Sequence, residues 1–202
     1  MARIIGSPSR YIQGKGTLAE ITKYTERLGK KLLILVSKSG KKRVEEKINK
    51  AVEGTDTTVV WEIFNGECSK SEVNRIGENL KKEKCDVVVG IGGGKILDTA
   101  KAVAYYVCVP TAASTDAPCS ALSVLYTDDG QFDEYLWLPA NPDIILLDTD
   151  IIVAAPVRLI VSGMGDALAT YFETRACMRS NTTSCMGGSV SKTAMALSEL
   201  CF

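Results

Sequence analysis

Short apolar runs alternate with amphipathic segments through about residue 148, and no other feature of this 202-residue chain constrains its fold as tightly. Residues 31–36, Lys-Leu-Leu-Ile-Leu-Val, are an apolar run between polar flanks, the pattern of a buried strand. After turn residues 37–40, Val44, Ile48 and Val52 recur every four residues among charges, which puts them on one face of a helix. Residues 58–64 repeat the strand pattern. Ser69-Lys-Ser-Glu72 then has the spacing of a capping box, and Val73, Ile76 and Leu80 carry a second helix. Asp86-Val-Val-Val89 is a third strand, leading through Gly90-Ile-Gly-Gly-Gly-Lys95 into a helix that runs to about Tyr106. Alternation with connections of this length implies parallel strands joined by crossover helices.

Residues 107–109 and 143–148 read as further strands. Between them, residues 123–126 and 132–138 flank a turn in which Gly130 can take a positive φ, the pattern of a β-hairpin. One join looks too tight: the helix ending at Ala104-Tyr-Tyr106 abuts the strand at Val107, where about two to six linking residues are usual. Either the helix is a turn shorter or a loop has been lost. Beyond residue 148 the pattern turns helical, with Ala167, Leu168, Tyr171 and Phe172 at 3–4 spacing and a last helix from near Ser189 to Phe202. The expected organisation is an α/β domain over 1–148, followed by the opening helices of an unfinished α-helical part over 149–202.

Composition narrows the chemistry. Lysine plus arginine and aspartate plus glutamate each total 24, so no net field recruits nucleic acid or an acidic membrane. The histidine count is zero, which removes the commonest general base and metal ligand. The seven cysteines, at 68, 85, 108, 119, 177, 185 and 201, are odd in number and contain no C-x-x-C. They indicate neither a zinc knuckle nor a disulfide framework, and suit a reducing compartment. The N-terminus lacks a signal-peptide core and no stretch approaches the ~18 apolar residues of a membrane span, so a cytoplasmic location is expected.

Three segments carry candidate chemistry. In Gly90-Ile-Gly-Gly-Gly-Lys95 a strand turns into a helix through glycines, which lets a ligand approach backbone N–H groups at the positive end of the helix dipole. It is neither G-x-G-x-x-G, because Lys95 takes the third glycine position, nor a phosphate loop of the G-x-x-x-x-G-K-[ST] type. Three glycines followed by lysine favour phosphate contact over a plain tight turn. Pro110-Thr-Ala-Ala-Ser-Thr-Asp-Ala-Pro118 comes directly after the fourth strand, where open α/β sheets bind ligands. Its hydroxyls suit phosphate or ribose, yet a proline-bounded loop with Asp116 as a cap accounts for it equally well. In Gly163-Met-Gly-Asp166, the aspartate is read first as a carboxylate in the opening turn of a helix; a metal ligand would have the same local sequence. The basic runs Lys41-Lys-Arg43 and Lys81-Lys-Glu-Lys84 read as solvated helix faces.

Together, residues 88–101, 110–118 and 162–170 resemble the glycerol dehydrogenases of the iron- or zinc-containing, group III alcohol dehydrogenase family. The resemblance implies a Rossmann-like parallel-sheet domain followed by a helical metal-binding domain, NAD as cofactor, zinc or another divalent cation, and oxidation of glycerol to dihydroxyacetone. It implies a homo-oligomer for intact members. Matched residue by residue, Gly93, Gly94, Lys95, Ile96, Leu97 and Asp98 fall in the pyrophosphate and nicotinamide-side loop. Thr111, Ala112, Ala113, Ser114, Ser120, Leu122 and Tyr126 match further NAD-contacting positions. Asp116 matches a substrate-contacting aspartate and Asp166 a metal ligand.

The departures are also informative. The two histidines that complete the family's metal site are absent, and Ser37 stands where an aspartate often meets the adenine ribose, which leaves NAD against NADP open. Relatives also carry a few more residues between the helix ending near Tyr106 and the next strand. The expectation is therefore a truncated, internally shortened glycerol dehydrogenase, with a non-catalytic NAD-binding fragment as the alternative. Dehydroquinate synthases share the implied fold, but Thr115-Asp-Ala-Pro118 and Gly165-Asp-Ala-Leu168 favour the polyol dehydrogenases.

Overall fold

A computed structural model describes residues 2–104, 106–184 and 187–202. In chain order it contains β1 (Arg10–Gly14), α1 (Ile21–Thr25), β2 (Lys31–Val36), α2 (Lys38–Val52), β3 (Thr58–Ile63), α3 (Lys70–Lys82), β4 (Val87–Gly92) and α4 (Gly94–Val103). The later elements are β5 (Val107–Pro110), β6 (Leu122–Tyr126), β7 (Phe132–Trp137), β8 (Ile144–Asp148), α5 (Thr149–Val153), α6 (Val157–Ser180) and α7 (Lys192–Glu199). Six strands form one sheet in the order β1-β8-β5-β4-β2-β3, and every pairing in it is parallel. The expected α/β class is what the chain adopts.

The central strands explain why their sequences read so plainly. Leu32 to Val36 and Val87 to Ile91 are buried on both faces, as continuous apolar runs in covered parallel sheets are. One face packs Ile34, Val89, Val109 and Leu146 against Val44 and Ile48 of α2; the other packs Leu33, Leu35 and Val88 against Ile76 of α3 and Ala100 of α4. The hairpin also forms as expected: β6 and β7 pair antiparallel, and Gly130 in the turn has φ +86°. Tyr126 N–H donates to the Cys68 carbonyl at 2.8 Å, which docks the hairpin on the loop before α3.

The structure adds elements that the sequence pattern does not mark and corrects some that it does. β1 has no signature in the sequence, because as an edge strand its Arg-Tyr-Ile-Gln-Gly stretch is largely exposed and lacks an apolar run. Asp148, wholly buried, ties the end of β8 to the segment after β1 by accepting from Gly16 N–H at 3.1 Å and Leu18 N–H at 3.2 Å. The capping box is half formed: Ser69 Oγ accepts from Glu72 N–H, but the Glu72 carboxylate is taken by Asn65 and Arg75 instead. The tight join is relieved by shortening α4, which ends at Val103 with Ala104 extended. Tyr105 lies outside the described residues, as do Cys185 and Met186. α7 starts at Lys192, capped by Ser191 Oγ, and stops at Glu199 before reaching Phe202.

The remaining cysteines are free; burial pushes the Cys68 thiol up to about 11 and that of Cys108 up to about 12, so both stay protonated near neutrality. No helix among the described residues is long and apolar enough to cross a membrane. The helical part after β8 is the least covered. No residue of α6 is buried, and Val157, Val161, Met164, Leu168 and Phe172 are exposed along it, with Leu197, Leu200 and Phe202 nearby in the chain's last segment. Contiguous apolar surface of this kind drives association. Light scattering during size-exclusion chromatography is expected to show a mass that rises with concentration, and Leu168→Glu with Phe172→Glu is expected to return it toward 21.7 kDa.

Candidate functional site

β2 leads to β3 on one side of it and to β4 on the other, so the chain reverses its winding between β2 and β4. The crevice outside the carboxyl ends of strands at such a switch point is where open α/β sheets bind ligands. The glycine run lies there. Gly92 ends β4, Gly93 is the N-cap of α4, and no side chain caps that helix. The first N–H groups of a helix have no partner within it. Ile96 and Leu97 N–H both bond the Gly93 carbonyl at 3.1 Å, and their side chains turn into the core. That leaves the N–H groups of Gly93, Gly94 and Lys95 ahead of the helix's first internal bonds, on residues that are exposed or half-buried. A Cβ on Gly93 would meet nothing within 4 Å, and one on Gly94 would only touch Thr115 Cγ2 at 3.9 Å, so the space above the turn is open.

Lys95, beside that space, is exposed and already committed. Its Nζ lies 2.5 Å from Glu67 Oε1 and 5.5 Å from the centroid of the Tyr126 ring. Glu67 Oε2 is buried without a hydrogen-bond partner, so this carboxylate is only partly satisfied and leans on the lysine. Sequence patterning does not single out Glu67; it sits in the polar stretch Asn65-Gly-Glu-Cys68, which reads as a loop.

The second wall of the crevice is the segment after β5. Thr111 N–H bonds the Gly92 carbonyl at 3.0 Å, tying the hydroxyl-rich loop to the glycine run. Ala112 and Ser114 are half-buried and Ala113 is exposed. Asp116 stands at the N-cap of the short 3-10 turn Ala117–Cys119 but makes no side-chain cap, so the capping explanation for it fails. Ser120, Leu122 and Tyr126 lie on the way into and along β6, and Asp98 of α4 reaches across with Oδ2 3.4 Å from Val124 N–H.

The third element is α6. Asp166 lies in its interior, not in its first turn: Pro156 starts the helix at Val157, well before Gly163 and Gly165. Those glycines belong to the helix, and Gly163 has a packing reason. A Cβ there would overlap the Ala113 carbonyl oxygen. This close approach brings Asp166 Oδ2 to 2.8 Å from Asp116 N–H, while Ser162 Oγ donates to the Ser114 carbonyl at 3.3 Å. Two aspartates far apart in sequence thus meet. The Asp116 carboxyl is raised above the ordinary aspartate range, first by desolvation against its neighbours and then by the Asp166 charge. Its ionisation therefore opposes the fold: its contribution is present at low pH and is lost as pH rises through the raised value.

Among the described residues these carboxylates are not joined by a full set of metal ligands. Asp166 already accepts a backbone N–H, and among the described residues no three His, Cys, Asp or Glu side chains come together to hold an ion. Zinc sites in proteins take three such ligands when catalytic and four when structural. Cys177 is on α6 beyond the cluster, and Cys185 lies outside the described residues.

With this geometry, comparison with known proteins is decisive for the family. The iron-containing alcohol dehydrogenase family matches residues 8–149. The chain belongs to that family. Glycerol dehydrogenase of Escherichia coli O6:H1 is 45% identical over 207 aligned positions, covering 100% of this chain and 56% of the relative. The enzyme of that name from Thermotoga maritima is 48% identical over 200 positions, covering 96% of this chain and 54% of the relative. Among solved structures, a probable glycerol dehydrogenase from Sinorhizobium meliloti 1021 superposes with a TM-score of 0.91 at 40% identity, over 99% of this chain and 56% of that one. This iron-containing alcohol dehydrogenase homologue spans about half the length of the curated relatives it matches.

The contact between α6 and the 111–116 loop is the feature of the site most open to a single substitution. Gly163→Ala is expected to cost about 1–3 kcal/mol by forcing the two backbones apart. Chemical denaturation is expected to show that loss, with Gly165→Ala, where a Cβ meets nothing, at or slightly above wild type.

Proposed function

We propose that this chain is the dinucleotide-binding part of a glycerol-dehydrogenase-type oxidoreductase, with NAD lying across the switch-point crevice. The observation that carries this reading is the uncapped, open N-terminus of α4, whose outward groups at Gly93, Gly94 and Lys95 are free to meet a diphosphate. Lys95 would exchange Glu67 for phosphate. Thr111, Ala112, Ala113 and Ser114 would flank the ribose and diphosphate, while Asp98, Ser120, Leu122 and Tyr126 would border the nicotinamide end. Ile96 and Leu97 would support the turn from beneath. Asp116 would orient the hydroxyls of a small polyol. Residues 1–148 would form the cofactor domain, and 149–202 would begin a helical one. The relatives' names support glycerol as the polyol.

When bound, NAD supplies the hydride acceptor. The role of this chain's residues is narrower: they bind and orient. The family resemblance also implies a divalent cation at Asp166, but the donor set described above does not fit one, and no step is routed through it. That mismatch, with no histidine in the chain, favours a second reading in which the 202 residues hold NAD without turnover.

Calorimetric titration with NAD is expected to show binding that Gly94→Val weakens by about tenfold or more, because a branched side chain fills the space over the turn. Glycerol oxidation with NAD and added zinc is expected to stay at background. Unchanged affinity in the variant would contradict the assignment to this turn. Zinc-dependent turnover abolished by Asp166→Ala would contradict the second reading.

A further inference from the structure

Among the described residues the largest fully buried side chain is a lysine. Lys101, on α4, is 1% exposed, although ammonium groups are buried only when their charge and all their donors are matched. Its Nζ is ringed by oxygens. It donates to the Ala117 carbonyl at 2.6 Å, to the Leu122 carbonyl and to Ser120 Oγ at 3.2 Å, and pairs with Asp98 Oδ1 at 3.0 Å. All of these oxygens except that of Asp98 belong to one segment, 117–122, whose regular structure before β6 is the single 3-10 turn Ala117–Cys119; its other ties are Asn141 Nδ2 on the Cys119 carbonyl and Leu138 N–H on the Ala121 carbonyl. α4 grips the adjoining strand too: Ser123 Oγ donates to the Asp98 carbonyl at 2.9 Å.

We infer that Lys101 is the positioning residue of the crevice: a buried ammonium strut that fixes the 117–124 wall, and with it Ser120 and Leu122, at a set distance from the glycine turn on the same helix. Its importance for a ligand rests on the dinucleotide reading above. Lys101 touches no ligand under that reading; it acts through Asp98 and the oxygens of the 117–122 segment. Asp98 supports the assignment. Burial raises its carboxyl and Lys101 opposes that rise, so removal of the lysine leaves a carboxyl that takes up a proton more readily.

The test compares wild type, Lys101→Met and Lys101→Gln by amide hydrogen exchange and by NADH fluorescence titration. Loss of the strut in Lys101→Met is expected to speed exchange in peptides covering residues 117–126 by about tenfold, with the β2 and β4 core unchanged. Lys101→Gln, which keeps two donors and loses the charge, is expected to recover about half of that protection on a logarithmic scale. NADH affinity should fall in the same order. Equal exchange in all three proteins, or acceleration spread evenly through the sheet, would overturn the inference. If Lys101→Met does not fold, Lys101→Gln decides alone by the same criterion of local against uniform change. If wild type binds no NADH, the dinucleotide reading fails while the exchange data still decide whether Lys101 is the strut.

Discussion

The close seating of α4 on β4 is the contact on which the rest of this molecule depends. It is possible because two strand positions carry no side chain. A Cβ on Gly90 would come within 2.6 Å of Ala100 Cβ, and one on Gly92 within 2.6 Å of Ile96 Cδ1. The helix therefore lies nearer the sheet than any alanine would allow. That proximity brings the N-terminus of α4 to the crevice with its first N–H groups uncapped. It also lets Leu97 and Ala100 reach the core, and Asp98 and Lys101 reach the hairpin and the loop before it.

This explains why glycine recurs in the run for different reasons. Gly90 and Gly92 are required by packing within the domain, whereas Gly93 and Gly94 face open space and carry no such demand. A packing requirement alone would not account for the second pair. Farther along, Gly163 repeats the first kind of use, letting the α6 backbone approach the Ala113 carbonyl and bringing Asp166 beside Asp116. Backbone proximity gathers the polar groups; side chains then complete the contacts.

Legibility in the sequence tracks burial. β2, β4 and β8 are covered on both faces and announce themselves as apolar runs; of the two edge strands, half-buried β3 keeps Val59-Val-Trp61 and reads as a strand, whereas largely exposed β1 does not. The glycine turn and the hydroxyl loop are readable because their composition is unusual, and the structure places them side by side through the Thr111–Gly92 bond. The partners Glu67 and Lys101 are not. Glu67 lies in an ordinary polar loop, and a lysine in a helix sequence reads as solvent-facing. Only its position three residues after Asp98, among Leu97, Ala100 and Ala104, hints that it points inward. The placement of Asp166 in a helix interior is hidden because glycines suggest a helix start, when one of them serves a backbone contact instead.

In the proposed function, the open turn at the head of α4 receives the diphosphate of a dinucleotide. The most direct measurement is an amide-resolved NMR titration of the chain with NAD, read against one with adenosine. NAD is predicted to shift the amides of Gly93, Gly94 and Lys95 most strongly, with smaller shifts at Thr111 and Ser114, while adenosine, lacking phosphate, leaves residues 93–95 unmoved. Saturating NAD with those amides unshifted, or shifts confined to the α6 surface, would contradict it.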